Sequence, residues 1–436
     1  MLDSHKRVGL IGLSAKGSWA SQSHLPHFQK TSKYKITALQ NSSQSSAEVA
    51  AKKYSLDSVS THDSPASIAQ DPNVDIVAVS VNVPQHYDLI WPALGAGKDV
   101  FSEWPLARNA TEAEELVHLA NKKGVKTLVG LQARQSPSII KAKDIVGSGK
   151  LGKILGTTMF GHGNMFSDAI PENLLYALPI EAGANILTIP FGHAVDALCY
   201  VLGSELQGIV ATLSNNYPDI DLVDGNGKPV EKRKKTAHDF VSITASLTNG
   251  GGNVAVTYAS SVFRSGHNFY WEIIGSEGTL VLEGGISGHI QMFQPTVKLA
   301  VGEGELKEVE VEKAGDFSFS VGKAWDAWAG IGTVNGYSVT TWEEALVRHK
   351  MIEAIYRSAD KGTRENYVKA SLISLSSASS GMMSHNHVSL HCNSKHGSSA
   401  SHDGKNQIGI LSPPRFHHLF STITYKLYIL DRFSNC

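Results

Sequence analysis

A glycine-containing loop near the start of the chain has residue types and a spacing suited to binding phosphate. Gly12 and Gly17 stand directly after an apolar strand-like run and before a helical pattern. In the G-x-G-x-x-G motif, the first glycine makes a tight turn and the last allows a helix to pack closely, so that backbone amides meet a pyrophosphate. Ser14 replaces the middle glycine, and its hydroxyl can donate to phosphate. An ordinary βα turn is the alternative. The sequence predicts a dinucleotide-binding loop of Gly12, Leu13, Ser14, Ala15, Lys16 and Gly17.

The end of the second predicted strand decides between NAD and NADP. An Asp or Glu there binds the ribose 2′-hydroxyl of NAD, whereas a basic residue accommodates the 2′-phosphate of NADP. Here the stretch Leu39-Gln40-Asn41-Ser42-Ser43 carries neither charge. Without a carboxylate to repel it, a 2′-phosphate can be hydrogen-bonded by Asn41 and Ser42. The sequence therefore favours NADP over NAD.

Three more residues are of types that handle protons or charged ligands. His193 and Asp196 stand three apart on a predicted helix, so they face the same side. Histidine titrates near neutral pH, so His193 is either a proton carrier for a substrate alcohol or a structural residue. Asp196 is expected to orient His193 or cap backbone. Arg134 follows a strand and faces either a cleft between domains or the surface.

Alternating strand and helix patterns in the first third of the chain would position these residues. Such alternation produces βαβ units and therefore a parallel, doubly wound sheet. Asn109 is the predicted N-cap of one helix, and Glu112 would complete a capping box. The predicted strands are 7–13, 34–39, 74–81, 99–102 and 126–131, and the predicted helices are 18–30, 47–53, 86–96 and 109–123.

After about residue 152 the pattern changes to consecutive strands separated by tight turns. The predicted fold is an α/β Rossmann domain followed by an α+β domain with a large, mostly antiparallel sheet. The domains are predicted at 1–130 and 131–365, with the helix at 341–360 packing back on the first. A Ser- and His-rich tail, 366–436, is predicted to be disordered. The predicted strands here are 153–160, 207–213, 241–248, 253–259, 270–274 and 279–282, with helices near 186–202 and 341–359.

Composition narrows the class of protein. The net charge is −1 over 436 residues, which removes the general electrostatic argument for nucleic acid or an anionic membrane. Three widely spaced cysteines favour a reducing compartment over disulfides, and no metal site is expected. The N-terminus lacks a signal-peptide pattern, and the sequence shows no run of about twenty apolar residues, so a soluble intracellular protein is predicted.

Several ordered motifs between residues 6 and 360 resemble the Gfo/Idh/MocA family of oxidoreductases. An ordered set of this kind is far more specific than any one motif. Within the family, the set looks like the fungal galactose-repressor branch, whose members bind NAD(P) and restrain a transcriptional activator. The motifs are the Gly12 loop, 77–86, SEWPLA at 102–107, GLQARQSP at 130–137, GKLGKI at 149–154, GHAVD at 192–196 and IGSEGTL at 274–280.

The resemblance also implies roles for individual residues. Family dehydrogenases carry Glu-Lys-Pro where this chain has Glu103-Trp104-Pro105, and that lysine polarises or deprotonates the substrate hydroxyl. They also place an Asp four residues before the active-site histidine, where this chain has Ile189. Trp104 either fills space at a strand end or stacks near the nicotinamide. The implied cofactor contacts are Val81, His86, Glu103 and Trp104, and the implied substrate contacts are Arg134, His193 and Asp196.

Two functions are compatible with these residues. One is an NAD(P)-dependent oxidoreductase acting on a sugar or polyol, with His193 as the evident acid/base group. The other is a non-catalytic NAD(P)-binding regulator with a transcription-factor partner, which the missing lysine and aspartate favour. A third, an inert structural protein, requires a loop unable to hold phosphate. We expect a homodimer in the cytoplasm or nucleus, without direct contact to nucleic acid or membrane.

Overall fold

Two large β-sheets organise the protein. The computed structural model describes residues 5–163, 168–260, 267–331 and 336–368. The predicted tail lies outside the described residues from position 369 onward. The fold class predicted from the sequence is confirmed, because a parallel sheet is followed by a larger, mostly antiparallel one. The division at residue 130 stays a prediction.

The first sheet has six parallel strands in the order β3-β2-β1-β4-β5-β6. Because all strands run the same way, their carboxyl ends share one edge, and the order reverses between β1 and β4. Ligands of open α/β sheets bind at such a reversal. The strands are β1 (Lys6–Ile11), β2 (Tyr34–Gln40), β3 (Ser60–His62), β4 (Ile76–Val79), β5 (Asp99–Glu103) and β6 (Thr127–Gly130).

Six helices connect these strands and cover the sheet. β3 was not predicted because it is only three polar residues long, which is too short for a periodic pattern. The helix that follows it was not predicted either. The helices are α1 (Trp19–Ser23), α2 (Leu25–Phe28), α3 (Gln44–Lys53), α4 (Pro65–Gln70), α5 (His86–Gly95) and α6 (Ala110–Lys123).

Two local predictions in this region were wrong. The predicted helix 18–30 is broken between α1 and α2, because Pro26 has no N–H to donate to the preceding turn. Asn109 does cap α6 by accepting the backbone N–H of Glu112 at 2.9 Å, but no capping box forms. The Glu112 carboxylate binds the Arg108 backbone N–H and guanidinium instead, since a charged donor competes successfully for it.

The second sheet has eight strands in the order β17-β16-β15-β14-β7-β13-β12-β9, and a three-stranded sheet, β11-β10-β8, lies separately. Only the β7–β13 pair of the large sheet is parallel among the described strands. The strands are β7 (Ile154–Gly163), β8 (Ala169–Pro171), β9 (Leu206–Ser214), β10 (Asp219–Val223), β11 (Pro229–Lys234), β12 (Phe240–Leu247), β13 (Asn253–Ser260), β14 (Phe269–Gly275), β15 (Gly278–Gly284), β16 (Thr296–Val301) and β17 (Lys307–Val309).

Four longer helices accompany the second sheet: α7 (Pro137–Gly147), α8 (Gly192–Leu202), α9 (Ser318–Trp328) and α10 (Trp342–Lys361). α8 is preceded by a π-helical turn, Leu187–Phe191. The stretch Ile180–Leu202 is long and apolar enough to span a membrane by length and composition, which the sequence reading overlooked. However, 89% of its most apolar window is buried inside the protein, as in the core helix of a soluble protein.

The last two helices return to the first sheet. In α10, the Trp342 indole donates to the Leu128 carbonyl at 3.2 Å, and Lys350 pairs with Glu114 of α6 at 2.9 Å. The indole of Trp325 in α9 stacks on Phe101 of β5 with ring centroids 4.8 Å apart. Residues from both halves of the chain therefore pack together in the core.

The segment after α10 closes an edge of the large sheet. Glu365 and Ile209 of β9 exchange backbone hydrogen bonds of 2.9 and 2.8 Å. The Asn366 side chain accepts the Gly208 N–H at 2.7 Å, and the Tyr367 hydroxyl accepts the Leu206 N–H at 2.9 Å. Residues 363–367 thus occupy hydrogen-bonding groups of Leu206, Gly208 and Ile209, in the first half of β9.

Candidate functional site

The glycine loop connects β1 to α1 in a conformation that needs glycine. Gly12 has φ +99° and Gly17 has φ +101°, both in the region that L side chains rarely adopt. A Cβ at Gly12 would also overlap the carbonyl oxygen of Ser80. The Ser14 hydroxyl accepts the Lys16 N–H at 3.1 Å and keeps its own hydrogen free to donate. The loop therefore has the tight turn and small side chains that a phosphate cradle requires.

A cleft of about 690 Å³ opens beside this loop. It lies at the carboxyl edge of the parallel sheet, between the loops that follow β1, β2 and β4. Leu13 is fully buried beneath the loop and does not line the cleft. Predicted site residues that line it are Gly12, Ser14, Ala15, Lys16, Asn41, Ser42 and Val81.

Asn41 braces the loop instead of presenting its amide to a ligand. Its Nδ2 donates to the carbonyl of Leu13 at 2.9 Å and to that of Ser46 at 3.2 Å. Both amide hydrogens are occupied, and a phosphate oxygen accepts hydrogen bonds but cannot donate them. No amide hydrogen of Asn41 is therefore free for a 2′-phosphate in this arrangement, and its cofactor contact stays a prediction, as does that of Ser42, which is exposed at the cleft.

Two residues that sequence reasoning missed hold the loop from α3 and its C-cap. The Tyr54 hydroxyl donates to the Ser14 carbonyl at 2.8 Å, and Lys53 Nζ donates to the Ala15 carbonyl at 2.5 Å. Nothing in the local pattern marks these residues, because the contact joins positions about forty apart in the chain.

His86 is a buried support of the cleft wall and does not line the cleft. Its ring lies between the carbonyl oxygens of Pro105, at 2.8 Å, and Val81, at 3.0 Å. Two acceptors would suit a protonated ring, but burial lowers the pKa of His86, and a neutral ring donates to one carbonyl at a time. His86 therefore ties the turn after β4 to the turn after β5.

Glu103 ends β5 with its carboxylate already bound. Oε1 accepts the Nε2–H of His24 at 2.5 Å and the indole N–H of Trp19 at 3.0 Å. His24 and Trp19 were not among the residues predicted for the site. Glu103 therefore orients Trp19, which lies two residues after Gly17 of the glycine loop.

Trp104 fills space between the two halves of the protein. The residue is 5% exposed, and its indole N–H donates to the Thr188 carbonyl at 2.8 Å. A Cβ at Gly192 would lie 2.9 Å from the indole nitrogen, and the His349 ring lies with its centroid 4.9 Å away. Of the two interpretations of Trp104, the structure supports the space-filling one.

Arg134 and Asp196 bind each other. Two guanidinium nitrogens of Arg134 lie 2.7 Å from the two Asp196 oxygens, and a third lies 2.5 Å from Glu344 of α10. Burial alone would lower the pKa of Arg134, but Asp196 and Glu344 raise it. The expectation that Asp196 orients His193 is wrong, because the carboxylate is held in this buried pair. The arginine charge is already compensated as well.

His193 is buried and neutral. Burial, opposed by Asp196 and assisted by His289, lowers its pKa to about 3. Its Nδ1 has no hydrogen-bond partner among the described residues. His289, which sequence reasoning missed because it lies in a loop without a motif, is also buried, and its pKa is lowered to about 4. A neutral imidazole can both donate and accept a hydrogen bond, which suits a hydroxyl ligand.

Comparison with known proteins finds a matching family for each half of the chain. Residues 6–131 match the oxidoreductase family with an NAD-binding Rossmann fold, and residues 137–284 match the C-terminal domain of Gal80p. The dehydrogenase aclE of Aspergillus oryzae is 33% identical over 368 residues, which are 83% of this chain and 98% of that relative. The galactose/lactose metabolism regulatory protein GAL80 of Kluyveromyces lactis is 32% identical over 290 residues, 64% of either chain.

Solved structures share the fold. A super-repressor mutant of Gal80p from Saccharomyces cerevisiae has a TM-score of 0.77 at 25% identity and covers 83% of this chain and 98% of its own. Levoglucosan dehydrogenase with NADH and levoglucosan has a TM-score of 0.68 at 19% identity, covering 84% of this chain and all of its own, which shows the fold alone. From the near-complete match to a dehydrogenase and the assignment of both halves, the chain belongs to the Gfo/Idh/MocA oxidoreductase family, with a second domain of the Gal80p type.

Proposed function

We propose that the chain binds NADP(H) or NAD(H) in the cleft beside the glycine loop and oxidises or reduces an alcohol group of a sugar or polyol. The observation that carries the proposal is the cradle at Gly12, where a Cβ would overlap Ser80. The loop backbone and the Ser14 hydroxyl would hold the pyrophosphate, and Ser42 the adenosine ribose. The bound dinucleotide supplies the hydride chemistry. A relative that matches 83% of this chain, over 98% of its own length, is named a dehydrogenase.

Titration with NADPH and then NADH tests the binding step. Energy transfer from tryptophan to the reduced nicotinamide gives a dissociation constant for each. Gly12→Ala forces a side chain into a positive-φ position against Ser80, so we expect binding about tenfold weaker or worse. Gly95→Ala, in open space at the end of α5, is the control and should bind normally. Absence of binding by the parent chain at millimolar dinucleotide would end the proposal.

The preference for NADP over NAD is the finer part of the proposal. The cleft wall at the end of β2 carries exposed serine hydroxyls, including Ser42, and Lys16 lines the same cleft. Ser42→Asp places a carboxylate beside the ribose, so NADPH binding should weaken about tenfold or more while NADH binding holds or improves. Ser42→Asn, which adds size without charge, is the control. Equal weakening of both dinucleotides by Ser42→Asp would contradict a 2′-phosphate site at this residue.

An uncharged substrate fits the polar groups near α8. Arg134 is bound to Asp196, so its charge is not available to an anionic ligand. His193 is neutral, so its ring would hydrogen-bond a substrate hydroxyl and orient it toward the dinucleotide. With a sugar or polyol that gives turnover, His193→Ala should abolish turnover and leave dinucleotide affinity within twofold. Undiminished turnover would remove His193 from the mechanism.

A non-catalytic regulator is the second candidate, favoured by Trp104. The residue at the family's lysine position is a buried indole without a titratable proton, and it is fixed to Thr188. Under this alternative, dinucleotide binding would alter a surface that contacts a transcription factor. Affinity capture with the full chain and NADPH should then recover such a factor, whereas the same capture with Gly12→Ala should not.

A homodimer in the cytoplasm or nucleus completes the proposal. The outward-facing residues of the large sheet include the stacked pair Phe160 and Tyr270, with ring centroids 5.7 Å apart, and the exposed Val210 and Ile274. Apolar residues gathered on an open sheet face indicate an association surface. Light scattering of the purified chain should give twice the monomer mass of 46.9 kDa. Tyr270→Glu, which puts charge on this face, should give monomers.

A further inference from the structure

A hydrogen-bond chain, buried except at its Trp19 end, runs from α9 to Trp19, two residues after the glycine loop. The Trp325 indole donates to His24 Nδ1 at 3.0 Å, and His24 Nε2 donates to Glu103 Oε1 at 2.5 Å. The same carboxylate oxygen accepts the Trp19 indole at 3.0 Å. These four residues, called here the Glu103 relay, come from β5, α1, the α1–α2 junction and α9.

The direction of each bond in the relay is fixed by chemistry. An indole nitrogen only donates, so His24 Nδ1 must be unprotonated to accept from Trp325. The ring is therefore a neutral tautomer whose single N–H, on Nε2, points at Glu103. His24 is fully buried, which excludes water as an alternative hydrogen-bond partner of its ring. Trp325 thereby decides the tautomer of His24, and His24 decides the orientation of the carboxylate.

The relay ends at the carboxyl end of β5, beyond the residues that line the cleft and on the side toward which the nicotinamide half of a dinucleotide would extend. The adenosine half belongs at β2 and the pyrophosphate at β1, so the nicotinamide half extends across the strand reversal toward β4 and β5. Glu103 ends β5, and the indole of Trp19 reaches it from α1. The Trp19 ring also packs against the ring of Phe317, with ring centroids 5.8 Å apart. Phe317 is the residue immediately before α9. Both constraints on the indole therefore depend on α9.

We propose that His24 is a positioning residue of the dinucleotide site: by linking Trp325 to Glu103, it fixes the Trp19 indole at the nicotinamide end. The inference rests on the proposed dinucleotide binding and deepens it. It predicts that α9, some 300 residues after the glycine loop, affects nicotinamide binding without affecting adenosine binding.

The test compares two ligands in the full-length chain. NADPH contains the nicotinamide, and 2′-phospho-ADP-ribose lacks it. His24→Leu removes both hydrogen bonds of the ring, so NADPH should bind roughly tenfold more weakly while 2′-phospho-ADP-ribose binds within twofold of the parent. His24→Gln, whose amide can accept from Trp325 and donate to Glu103, should restore at least part of the loss.

A matched control lies on the neighbouring helix. His27 packs against Gly322 of α9 and pairs with Asp326 at 3.5 Å, but it does not contact Glu103. His27→Leu should therefore disturb the packing of α9 without the ligand-selective loss. If His24→Leu does not fold, Trp325→Phe can replace it, because this variant removes the indole donor while keeping a ring against Phe101. We expect Trp325→Phe to weaken NADPH binding by a smaller factor than His24→Leu, again without weakening the binding of 2′-phospho-ADP-ribose.

A spectroscopic signal separates the relay from the proposed function. With 5-fluorotryptophan in the full-length chain, the ¹⁹F resonance of Trp19 is assigned by its loss in Trp19→Phe. It should shift in ligand-free His24→Leu and return toward the parent position in His24→Gln. An unmoved resonance, or equal weakening of both ligands, would overturn the relay. Failure of the parent chain to bind either ligand would defeat the proposed function instead, and the Trp19 resonance would still decide the relay.

Discussion

Where family dehydrogenases have a lysine, this chain has Trp104, and the residues around the indole accommodate it. The indole fits against Gly192 because that residue has no side chain, and its N–H satisfies the Thr188 carbonyl. A buried polar group without a partner costs free energy, so the indole, the glycine and the carbonyl depend on one another. Trp104→Lys alone would therefore not recreate the lysine arrangement of the family dehydrogenases.

Trp104→Lys tests this dependence. The ammonium would enter a nearly closed space beside a neutral histidine, and part of the indole volume would be left empty. We expect the free energy of unfolding to fall by about 3 kcal/mol, with no gain of turnover. Urea denaturation measures the change, and Trp104→Phe, which keeps an aromatic ring and loses the N–H, should cost about 1 kcal/mol. A stable Trp104→Lys chain with new turnover would contradict this account.

At the scale of elements, the periodic patterns predicted the fold class and the core strands of both sheets. The misses have separate physical causes. β11 is exposed along its whole length and shows no alternation. α7 was not predicted although its sequence has a helical pattern, since its buried residues Ile139, Ala142 and Ile145 are spaced as on one face of a helix. α9 was not predicted either. Periodicity reveals that a face is buried but not which distant element covers it.

The same limit applies to the candidate site. The loop of residues 12–17 could be predicted because its geometry is encoded by adjacent residues, and most of it lines the cleft. The partners of Glu103 could not, because His24 lies 79 residues from Glu103 and 301 residues from Trp325. Asp196 was paired with the wrong residue for a similar reason. Helical spacing placed it beside His193, whereas the fold brought Arg134 to it from 62 residues away.

Arg134 joins three elements, and its loss should be correspondingly costly. The residue follows β6 and pairs with Asp196 in α8 and Glu344 in α10. Arg134→Met leaves a buried carboxylate whose remaining cationic neighbour, Arg348, is 3.8 Å away, so we expect a loss of about 3 kcal/mol in urea denaturation. Lys232→Met, which breaks the exposed pair with Asp221, should leave the free energy of unfolding almost unchanged, because solvent screens that pair. Similar losses in both variants would argue against a structural role for the buried pair.

Across the whole molecule, buried histidines make the folded state sensitive to acid. Burial lowers the pKa of His193 and His349 to about 3 and that of His289 to about 4, below the usual value of 6.5. In the unfolded chain these rings take up protons first as the pH falls. Their contribution to stability is therefore complete above about pH 6.5 and is lost progressively below it.

We expect the free energy of unfolding to decrease between pH 6.5 and pH 4.5 by up to roughly 1.4 kcal/mol per pH unit for each of these histidines. Chemical denaturation at a series of pH values measures the slope. His349→Gln removes one titrating ring and should make the slope shallower. A flat profile would show that the rings are not held neutral in the folded protein.

Closure of β9 by residues 363–367 governs how copies of the chain can assemble. Strand addition at an open sheet edge propagates without limit, because each new copy presents another open edge. Here one edge is occupied by the chain's own segment, and the other ends in β17, three residues long and carrying Lys307 and Glu308. Both edges are thus poor templates for fibre growth. The sheet face proposed above as the association surface would, by contrast, be covered once two copies had met, so assembly through it would give a finite complex and not a filament.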